Sequence, residues 1–535
     1  MPTLTWTGKE AVVTHPQQVP YQLLRDVPEL GCGDPGSGNL VVEGDNLLTL
    51  KALLPYYAGE VKCIYIDPPY NTGNEGWVYN DNVNSPIIND WLKKTVGKEG
   101  EDLSRHDKWL CMMYPRLALL KRFLREDGSI WISMDDSEIG LLRVLMDDVF
   151  GRQKFVACAT WQKRYSRENR GAIGDAHEYL LVYAMDPETF KESRNRVPVD
   201  EKQAKIYKNP NDDPKGRWRG IPMTAQGYRP NQMYEIAAPS GKVFKPPEGR
   251  CWGMIESEFL KLKAAGRIYF GKAGNSQPSV IRYLNEVEGF VPWTWWPHDE
   301  VGHTDEARKE VQSLFGTQTA FDTPKPTRLI ERVLQIATNP GDLILDSFAG
   351  SGTTGHAVLK MNAAQPDQPP RRFILVEMEE KIAREVTAER VRRVAEGYSN
   401  AKGEAVAGLG GGFRFCQLGE HIFAADGSIN PAIRFAHLAR HVYFTETGEP
   451  PPESARFKTS LIGVCRGVAV YLLFNGILGD KSVGGGNILT RQTLAALPPH
   501  PGPKVIYAYG CRLGEDRLRR AQITFRQTPY EIKVQ

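Results

Sequence analysis

The sequence predicts an α/β fold built on a parallel sheet, and two stretches of the chain carry this prediction. In the first, a short strand from residue 39 that ends in an acid, a helix-like segment over 47–57 and an apolar run over 61–66 follow one another. In the second, the apolar run at 343–345 is followed by a glycine loop, a helix and a further apolar run at 373–376. Strand, helix, strand is the unit of a parallel sheet, so each stretch is expected to contribute neighbouring strands.

Length and composition bound the class of protein. A chain of 535 residues is too long for one ordinary core, so about two to four domains are expected. A hydrophobic share of 41% with 24% charged residues is typical of a soluble globular protein. The net charge of only +3 excludes a bulk polycation, so any contact with nucleic acid must come from local patches.

The cysteines and the absence of membrane signals indicate the compartment. The eight cysteines are scattered, with no C-x-x-C pair and no histidine cluster at ligand spacing, so neither a metal site nor a disulfide framework is expected. The N-terminus lacks the apolar run of a signal peptide, and the most lipid-like segment, residues 461–479, is interrupted by Arg466 and Asn475. We therefore expect a cytoplasmic protein with no membrane role.

The first part of the chain predicts further elements around this sheet. Residues 1–40 are rich in proline and glycine and are expected to wrap a surface as an arm. Leucine and methionine recur at spacings of three and four over 106–125, which predicts a helix with a core-facing stripe. A strand is predicted at 129–134, and Asp135 with Glu138 is expected to form a capping box for the next helix.

The regular alternation weakens between residues 187 and 318. Two strand-like runs, at 155–161 and 177–184, precede this region and flank a basic loop. Within the region aromatic residues interleave with cations, as at Arg217-Trp218-Arg219. This combination is typical of a surface that contacts a nucleic-acid backbone and stacks on bases. The alternative is an ordinary domain with buried tryptophans.

The most informative short motif is Asp67-Pro68-Pro69-Tyr70, which directly follows the apolar run at 61–66. Each proline fixes φ and removes a backbone donor, so the loop cannot continue the sheet. Asp67 offers an acceptor-only carboxylate, Pro68 a carbonyl oxygen and Tyr70 a flat aromatic face. That set fits a planar group bearing an NH2, and an exposed nucleobase amine is the obvious candidate. The alternatives are a stiff surface corner and a ligand for a peptide-binding module.

The second motif is the glycine loop after the strand at 343–345. Gly350 and Gly352 let the backbone turn sharply under a ligand before Thr353 opens a helix. Glu377, at the tip of the next strand, can accept hydrogen bonds from both hydroxyls of a ribose, and the alternative is a solvated strand-end carboxylate. The spacing is neither G-x-G-x-x-G nor a loop ending in Gly-Lys-Ser/Thr, which argues against a nicotinamide enzyme and an NTPase.

Taken together, the two motifs resemble a known family. The string over 67–70 and the string Phe348-Ala349-Gly350-Ser351-Gly352 are similar to the catalytic and cofactor signatures of the S-adenosylmethionine-dependent amino-methyltransferases of DNA. The catalytic motif comes first, which is the β-class order of that family. The longer strings over 67–74 and 321–326 resemble the modification subunit of type III restriction systems. Ser347 departs from the pattern, because the family often has proline there.

The resemblance implies a Rossmann-like methyltransferase sheet in circular order, with the catalytic half first and the cofactor half last. It divides the chain into five parts. These are an N-terminal arm (1–40), the catalytic half (41–186), an inserted target-recognition region (187–318), the cofactor-binding half (319–400) and a small C-terminal α/β module for partner binding or dimerisation (401–535).

The resemblance also implies roles for individual residues. Asp67 and the Pro68 carbonyl would accept hydrogen bonds from the amino group of a flipped-out base, in a loop stiffened by Pro69, and Tyr70 would stack on that base. The residues implied to contact the cofactor S-adenosyl-L-methionine are Asp45, Lys325, Asp346, Phe348, Gly350, Gly352, Thr353 and Glu377. The residues expected to contact DNA are Arg164, Arg167, Arg217 and Arg219.

The activity implied is methyl transfer to the N6 amino group of adenine in duplex DNA, within a restriction-modification or phage-defence system. Two alternatives stay open: methylation of cytosine N4, a chemically similar amine, and a DNA-recognition subunit for a helicase-nuclease partner. Aspartate rather than serine at the first position of the catalytic motif favours adenine. Double-stranded DNA, a helicase-nuclease restriction subunit and a second copy of the chain are the expected partners.

Overall fold

The computed structural model describes residues 4–72, 94, 105–167, 172–199, 204–316, 320–424, 426–452, 455–475, 485–529 and 532. These residues fall into two compact units. One comprises Met1–Asn195 together with Trp293–Gln535, and the other is Arg196–Pro292.

The secondary structure within the described residues mixes strands and helices along the whole chain. The strands are β1 Gln22–Asp26, β2 Leu40–Glu43, β3 Val61–Ile66, β4 Leu124–Met134, β5 Phe155–Gln162, β6 His177–Ala184, β7 Trp218–Pro222, β8 Thr224–Gln226, β9 Ile236–Ala237, β10 Val243–Phe244, β11 Arg250–Trp252, β12 Ile268–Tyr269, β13 Ser279–Tyr283, β14 Trp295–Trp296, β15 Leu343–Asp346, β16 Arg372–Glu377, β17 Gly397–Ser399, β18 Ala405–Ala407, β19 Arg414–His421, β20 Leu461–Cys465, β21 Val468–Leu472, β22 Ile488–Leu489, β23 Lys504–Ala508, β24 Gly510–Cys511 and β25 Ile523–Gln527. The helices are α1 Lys9–Gln18, α2 Asn46–Tyr57, α3 Arg105–Phe123, α4 Ile139–Val149, α5 Pro187–Ser193, α6 Glu256–Ala264, α7 His298–Val301, α8 Thr304–Phe315, α9 Thr327–Ala337, α10 Thr353–Ala363, α11 Glu380–Ile382, α12 Glu389–Glu396, α13 Phe435–Thr447, α14 Arg491–Ala496 and α15 Glu515–Arg520.

The larger unit is built on a ten-stranded mixed sheet in the order β1-β19-β2-β16-β15-β3-β4-β6-β5-β14. Every neighbouring pair from β19 to β4 is parallel. Strand β6 runs antiparallel to both β4 and β5. The predicted α/β class is confirmed, because β2 and β3 from the first predicted stretch and β15 and β16 from the second belong to one sheet with helices around it. The circular order relative to other methyltransferases stays a prediction.

The pairing of β15 with β3 decides where the functional residues lie. Ile344 is in register with Cys63, and Leu345 with Ile64. Both strands are buried along their whole length, as continuous apolar runs in a parallel sheet must be. Parallel neighbours end at the same edge of a sheet, so the loop after β3 and the loop after β15 meet there.

The N-terminal segment contributes to this unit and departs from the predicted surface arm. Strand β1 pairs antiparallel with β19 at the edge of the sheet, and α1 packs against α3. Trp6 is buried, and its indole N–H donates to Cys111 Sγ at 3.3 Å. Val12 and Tyr21 are buried as well. The few apolar residues between the prolines and glycines therefore give the segment its own core contacts, although they form no periodic pattern.

The predicted capping box at the start of α4 is wrong. Helix α4 begins at Ile139 without a side-chain cap. Asp135 accepts a hydrogen bond from the Ser137 amide at 2.8 Å instead. Glu138 is fully buried and accepts hydrogen bonds from Asn71, in the loop after β3, and from His106. The Glu138 side chain, which the local pattern assigned to the helix cap, therefore binds the loop after β3 instead.

The smaller unit folds around short antiparallel strands. Strands β12, β13 and β7 form a three-stranded sheet, β8 pairs with β11, and β9 with β10. Its cores are rich in aromatic residues, with Trp252 and Phe259 in one cluster and Trp218 in another. The predicted insertion, 187–318, is wider than this unit. The reason is that α5 packs against β4 of the main sheet, while β14 pairs with β5.

Residues 401–535 enter the larger unit in two ways. Strand β19 joins the main sheet beside β2, and β20, β21, β23 and β25 form a separate four-stranded sheet. The strand predicted at 504–509 is β23, and the helix predicted at 515–522 is α15. Helix α13 packs against α2 and places Leu438 and Val442 in the main core. Within the described ranges, none of the helices combines the length and apolar character needed to cross a membrane.

Candidate active site

A cavity of about 320 Å³ lies where the loops after β3 and β15 meet. Both sequence motifs line it, together with residues just before α9 and after β5. The loop after β3, named the catalytic loop here after the role predicted for its motif, contributes Asp67, Pro68, Pro69, Tyr70 and Thr72. The glycine loop contributes Asp346, Phe348, Ala349, Gly350, Ser351, Thr353 and Thr354. The fold therefore brings together in one cavity two motifs that lie far apart in the chain.

Asp67 presents one paired and one unpaired carboxylate oxygen. Its Oδ2 accepts a hydrogen bond from Lys325 Nζ at 2.7 Å. Its Oδ1 is shielded from solvent and has no hydrogen-bond partner within the described part of the chain. Burial raises the pKa of Asp67 above its usual range, and the neighbouring Lys325 cation opposes that rise. A shielded, unpaired acceptor costs free energy, so it favours a ligand that brings an N–H donor into the cavity.

Tyr70 is held in place through its hydroxyl group. The hydroxyl donates to Glu178 Oε2 at 2.9 Å, and Lys325 Nζ lies 4.9 Å from the centre of the ring. Glu178 also lies 3.6 Å from Lys325 Nζ and 3.4 Å from Lys163 Nζ. Sequence analysis missed Glu178 and Lys163 as site residues. They belong to β6 and to the loop after β5, and only the order of strands in the sheet brings them to Tyr70.

Two further side chains fix the backbone of the catalytic loop. Trp109, on α3, donates its indole N–H to the Pro69 carbonyl at 2.7 Å. Asn71 has a left-handed backbone with φ of 58°, and its Nδ2 donates to Glu138 Oε1 at 2.5 Å. Asparagine tolerates this conformation better than most non-glycine residues, whereas other side chains would pay about 1–3 kcal/mol there. The loop is therefore positioned by packing and hydrogen bonds as well as by its prolines.

The glycine loop requires glycine at both positions. Gly350 and Gly352 have φ of 48° and 75°. A Cβ at Gly350 would lie 3.0 Å from the Phe321 ring, and one at Gly352 would lie 3.0 Å from the Thr387 carbonyl oxygen. The Gly350 amide donates to Glu377 Oε2 at 2.9 Å. This geometry lets bare backbone approach the cavity, which fits the cofactor loop that the motif predicted.

Asp346 anchors the start of that loop. Its Oδ1 accepts from the Phe348 amide at 3.1 Å, and its Oδ2 accepts from the Thr354 hydroxyl at 2.5 Å. Burial raises the pKa of Asp346 to about 7. No cluster of three or more histidine, cysteine or acidic side chains suited to a metal ion occurs among the residues that the structure describes.

Three of the predicted cofactor residues, Asp45, Gly352 and Glu377, do not line the cavity. Asp45 instead caps α2, because its Oδ1 accepts hydrogen bonds from the Leu47 and Leu48 amides, and its Oδ2 pairs with Arg116 at 3.0 Å. Glu377 lies behind the glycine loop and accepts from that loop's backbone. A contact of either carboxylate with a cofactor stays a prediction.

The arginines predicted to contact DNA lie in both units. Arg164 lines the cavity, and Arg167 is exposed further along the same loop. In the smaller unit Arg217 is exposed, whereas Arg219 is half-buried with its guanidinium carbon 5.3 Å from the Tyr207 ring. Their contact with DNA stays a prediction.

Residues 61–389 match the family model of N6 and N4 methyltransferases, whose description is DNA methylase. The match extends over more than half of the chain, and the chain belongs to this family of DNA methylases. The cofactor of this family is S-adenosyl-L-methionine, and the glycine loop of this chain fits such a cofactor.

Individual relatives narrow the comparison. The chain is 35% identical over 390 residues to the StyLTI Mod subunit of a type III restriction-modification enzyme from Salmonella typhimurium, which covers 67% of this chain and 57% of that one. It is 33% identical over 389 residues to the EcoPI Mod subunit of Escherichia phage P1, covering 65% and 58%. It is 31% identical over 359 residues to the type II methyltransferase M.KpnI of Klebsiella pneumoniae, covering 64% and 81%. The chain therefore spans less than two thirds of the length of these type III relatives.

Replacing Asn71 is expected to loosen the catalytic loop. Asn71→Ala removes the hydrogen bond to buried Glu138 and leaves an alanine in a left-handed conformation, so the free energy of unfolding should fall by about 2–3 kcal/mol. Urea denaturation followed by tryptophan fluorescence measures the change. Asn71→Gly is the matched control: it loses the same bond but relaxes φ, so its loss should be about 1 kcal/mol smaller. Equal losses in the two variants would contradict the role given to the backbone conformation.

Proposed function

We propose that the chain is a DNA adenine-N6 methyltransferase that serves as the modification subunit of a type III restriction-modification system. The observation that carries the proposal is the unpaired Oδ1 of Asp67, in a cavity that also contains the Tyr70 ring and the glycine loop. Membership of the DNA methylase family and similarity to two type III Mod subunits support it.

The catalytic loop is suited to activating an aromatic amine. The exocyclic nitrogen of adenine is a poor nucleophile, because its lone pair is delocalised into the ring. Asp67 Oδ1 and the Pro68 carbonyl can each accept one of its N–H groups, which favours a pyramidal nitrogen with an available lone pair. S-adenosyl-L-methionine supplies, when bound, an electrophilic methyl group on a sulfonium centre. The protein then contributes orientation and electrostatic stabilisation through groups that are already fixed.

Tyr70 and Lys325 prepare the cavity for the base. An adenine inside a duplex must leave the stack before it can react, which costs a few kcal/mol. Stacking on the Tyr70 ring offsets part of that cost, and the hydrogen bond to Glu178 keeps the ring in place. Lys325 favours the ionised form of Asp67, which is the form that accepts hydrogen bonds.

The smaller unit, Arg196–Pro292, is the proposed target-recognition region. Its arginines and lysines would contact phosphates, and polar side chains would read base edges. The aromatic residues of this region divide between two roles: Trp218 and Trp252 are buried in its core, whereas Tyr228 is 72% exposed and available for stacking. A helicase-nuclease restriction subunit is the proposed protein partner, and the absence of its gene beside that of this chain would count against the type III assignment.

Methyl transfer tests the proposed activity. Incubation with duplex DNA and S-adenosyl-L-methionine labelled in the methyl group should give labelled N6-methyladenine, identified by mass spectrometry of the digested DNA. Asp67→Ala should reduce transfer by about 10²-fold or more, because it removes a group that acts on the reacting nitrogen. Asp175→Asn, which alters a carboxylate of the same cavity wall, should cause a much smaller loss. N4-methylcytosine as the product would replace the adenine assignment, and equal transfer by wild type and Asp67→Ala would overturn the mechanism.

The Lys325→Met variant tests the control of Asp67 ionisation. Removing the cation lets burial move the pKa of Asp67 further up, so a higher pH is needed to ionise the carboxylate. The acidic limb of the rate-against-pH profile at saturating cofactor should therefore move to higher pH, with kcat partly recovered on its alkaline side. Lys163→Met is the control, because Lys163 pairs with Glu178 and Asp175 instead. An unchanged acidic limb in the Lys325 variant would refute this role.

Salt dependence tests the proposed recognition unit. Arg217→Gln combined with Arg219→Gln should weaken binding to duplex DNA and reduce the slope of log affinity against log salt by about 2, one for each lost phosphate contact. Fluorescence anisotropy at several salt concentrations measures both quantities. Lys261→Gln, at an exposed position on α6 where the lysine pairs with Glu258, is the control and should leave the slope unchanged. A double variant with wild-type affinity and slope would place the DNA surface elsewhere.

A further inference from the structure

Arg390 is a fully buried cation that lies directly behind the glycine loop. It belongs to α12, and its side chain has no exposed surface. One guanidinium nitrogen donates to Ser351 Oγ at 3.1 Å and to Thr353 Oγ1 at 2.9 Å. The other terminal nitrogen donates to Thr327 Oγ1 at 3.2 Å and to His356 Nδ1 at 3.2 Å. A further hydrogen bond runs to the Ser351 main-chain oxygen at 3.5 Å, so the groups that accept from Arg390 are all uncharged.

The hydroxyl groups that Arg390 contacts also face the cavity or hold segments that line it. Ser351 and Thr353 belong to the cavity wall. Thr353 Oγ1 in turn donates to the main-chain oxygen of Lys325 at 3.3 Å. Thr327 is the first residue of α9, two positions after Lys325. A single layer of side chains therefore separates the Arg390 guanidinium from the space into which the glycine loop opens.

The charge of Arg390 is only partly balanced by its surroundings. Its ion-pair partner among the described residues is Glu310, whose Oε2 lies 3.6 Å away. That same oxygen already accepts hydrogen bonds from the Thr327 amide and hydroxyl, at 3.1 and 2.7 Å. Burial and the nearby cations hold the pKa of His356 well below its usual range, so this ring is neutral and supplies no negative charge.

The guanidinium nevertheless stays protonated. Burial lowers the pKa of Arg390 to about 10, and the carboxylate of Glu310 and the phenol of Tyr398 oppose that fall. At neutral pH Arg390 therefore places a positive charge directly behind Ser351 and Thr353, at a fully buried position where charges act strongly on one another.

We propose that Arg390 is a positioning residue for the cofactor: it holds Ser351 and Thr353 in the cavity wall, and its buried charge selects the carboxylate of the amino-acid end of S-adenosyl-L-methionine. This inference rests on the proposed function, in which the backbone of the glycine loop lines that end of the cofactor. An anion in front of the loop completes the charge balance that Glu310 provides only in part. The neutral nucleoside end gains nothing from this charge.

A pair of ligands separates the electrostatic role from a merely structural one. S-adenosylhomocysteine keeps the carboxylate, and S-adenosyl-3-thiopropylamine, its decarboxylated analogue, lacks only that group. Isothermal titration calorimetry of the full-length protein gives the dissociation constant of each ligand. Arg390→Gln should weaken S-adenosylhomocysteine binding by about tenfold or more without weakening that of the decarboxylated analogue, which keeps only the ammonium group at this end. Arg390→Lys, which keeps the charge, should fall between wild type and Arg390→Gln for the carboxylate ligand alone.

Circular dichroism shows whether Arg390→Gln folds. If it does not, a second variant tests whether the buried charge selects the carboxylate. Glu310→Gln removes the partial counter-charge but keeps an oxygen that can accept from Thr327. It should tighten S-adenosylhomocysteine binding without tightening that of the analogue, whose ammonium group is repelled by the same charge. Equal losses for both ligands in the Arg390 variants, or no tightening in Glu310→Gln, would overturn the inference. Failure of the folded wild type to bind S-adenosylhomocysteine would overturn the proposed function itself, which is a distinguishable result.

Discussion

The parallel pairing of β3 with β15 is the constraint on which the rest of the structure depends. Neither loop at the end of these strands forms a site alone. Asp67 stands on the loop after β3, but the cation that pairs with it, Lys325, comes from the segment that leads into β15 through α9. The glycine loop packs closely against Phe321 and Thr387, which come from other segments of the chain. The register of β3 and β15 therefore places Asp67, Lys325 and the glycine loop in one cavity.

Charges of alternating sign run along one wall of that cavity. Asp67 contacts Lys325 at 2.7 Å, Lys325 lies 3.6 Å from Glu178, Glu178 lies 3.4 Å from Lys163, and Lys163 contacts Asp175 at 2.6 Å. Removing such groups from water is costly, so a chain of this kind contributes little net stability. Its value lies in geometry, because each charge restricts its neighbours. The outcome is a carboxylate and an aromatic ring held at fixed positions before any ligand arrives.

The local sequence pattern predicted those elements whose residues are determined by their near neighbours in the chain. The helix over α2, the strands β3, β4 and β23 and both short motifs follow from periodicity, proline and glycine. The failures lie where a residue serves a distant partner. Glu138 satisfied the local capping rule, yet its side chain holds Asn71 and His106. Asp45 caps α2 and pairs with Arg116, two contacts that the local pattern did not predict, while its contact with a cofactor stays a prediction. Glu178 gave no local signal, since only the strand order places it beside Tyr70.

The position of β15 late in the chain has a consequence for synthesis on the ribosome. Strand β4, on one side of β3, is made soon after it, whereas β15, on the other side, follows roughly 280 residues later, which is about 15–60 s of translation. During that time the apolar edge Cys63-Ile64-Tyr65 has no strand beside it, and an open edge of this kind readily pairs with other chains. Slower translation or scarce chaperones are therefore expected to lower the yield of soluble protein more than the specific activity of the molecules that do fold.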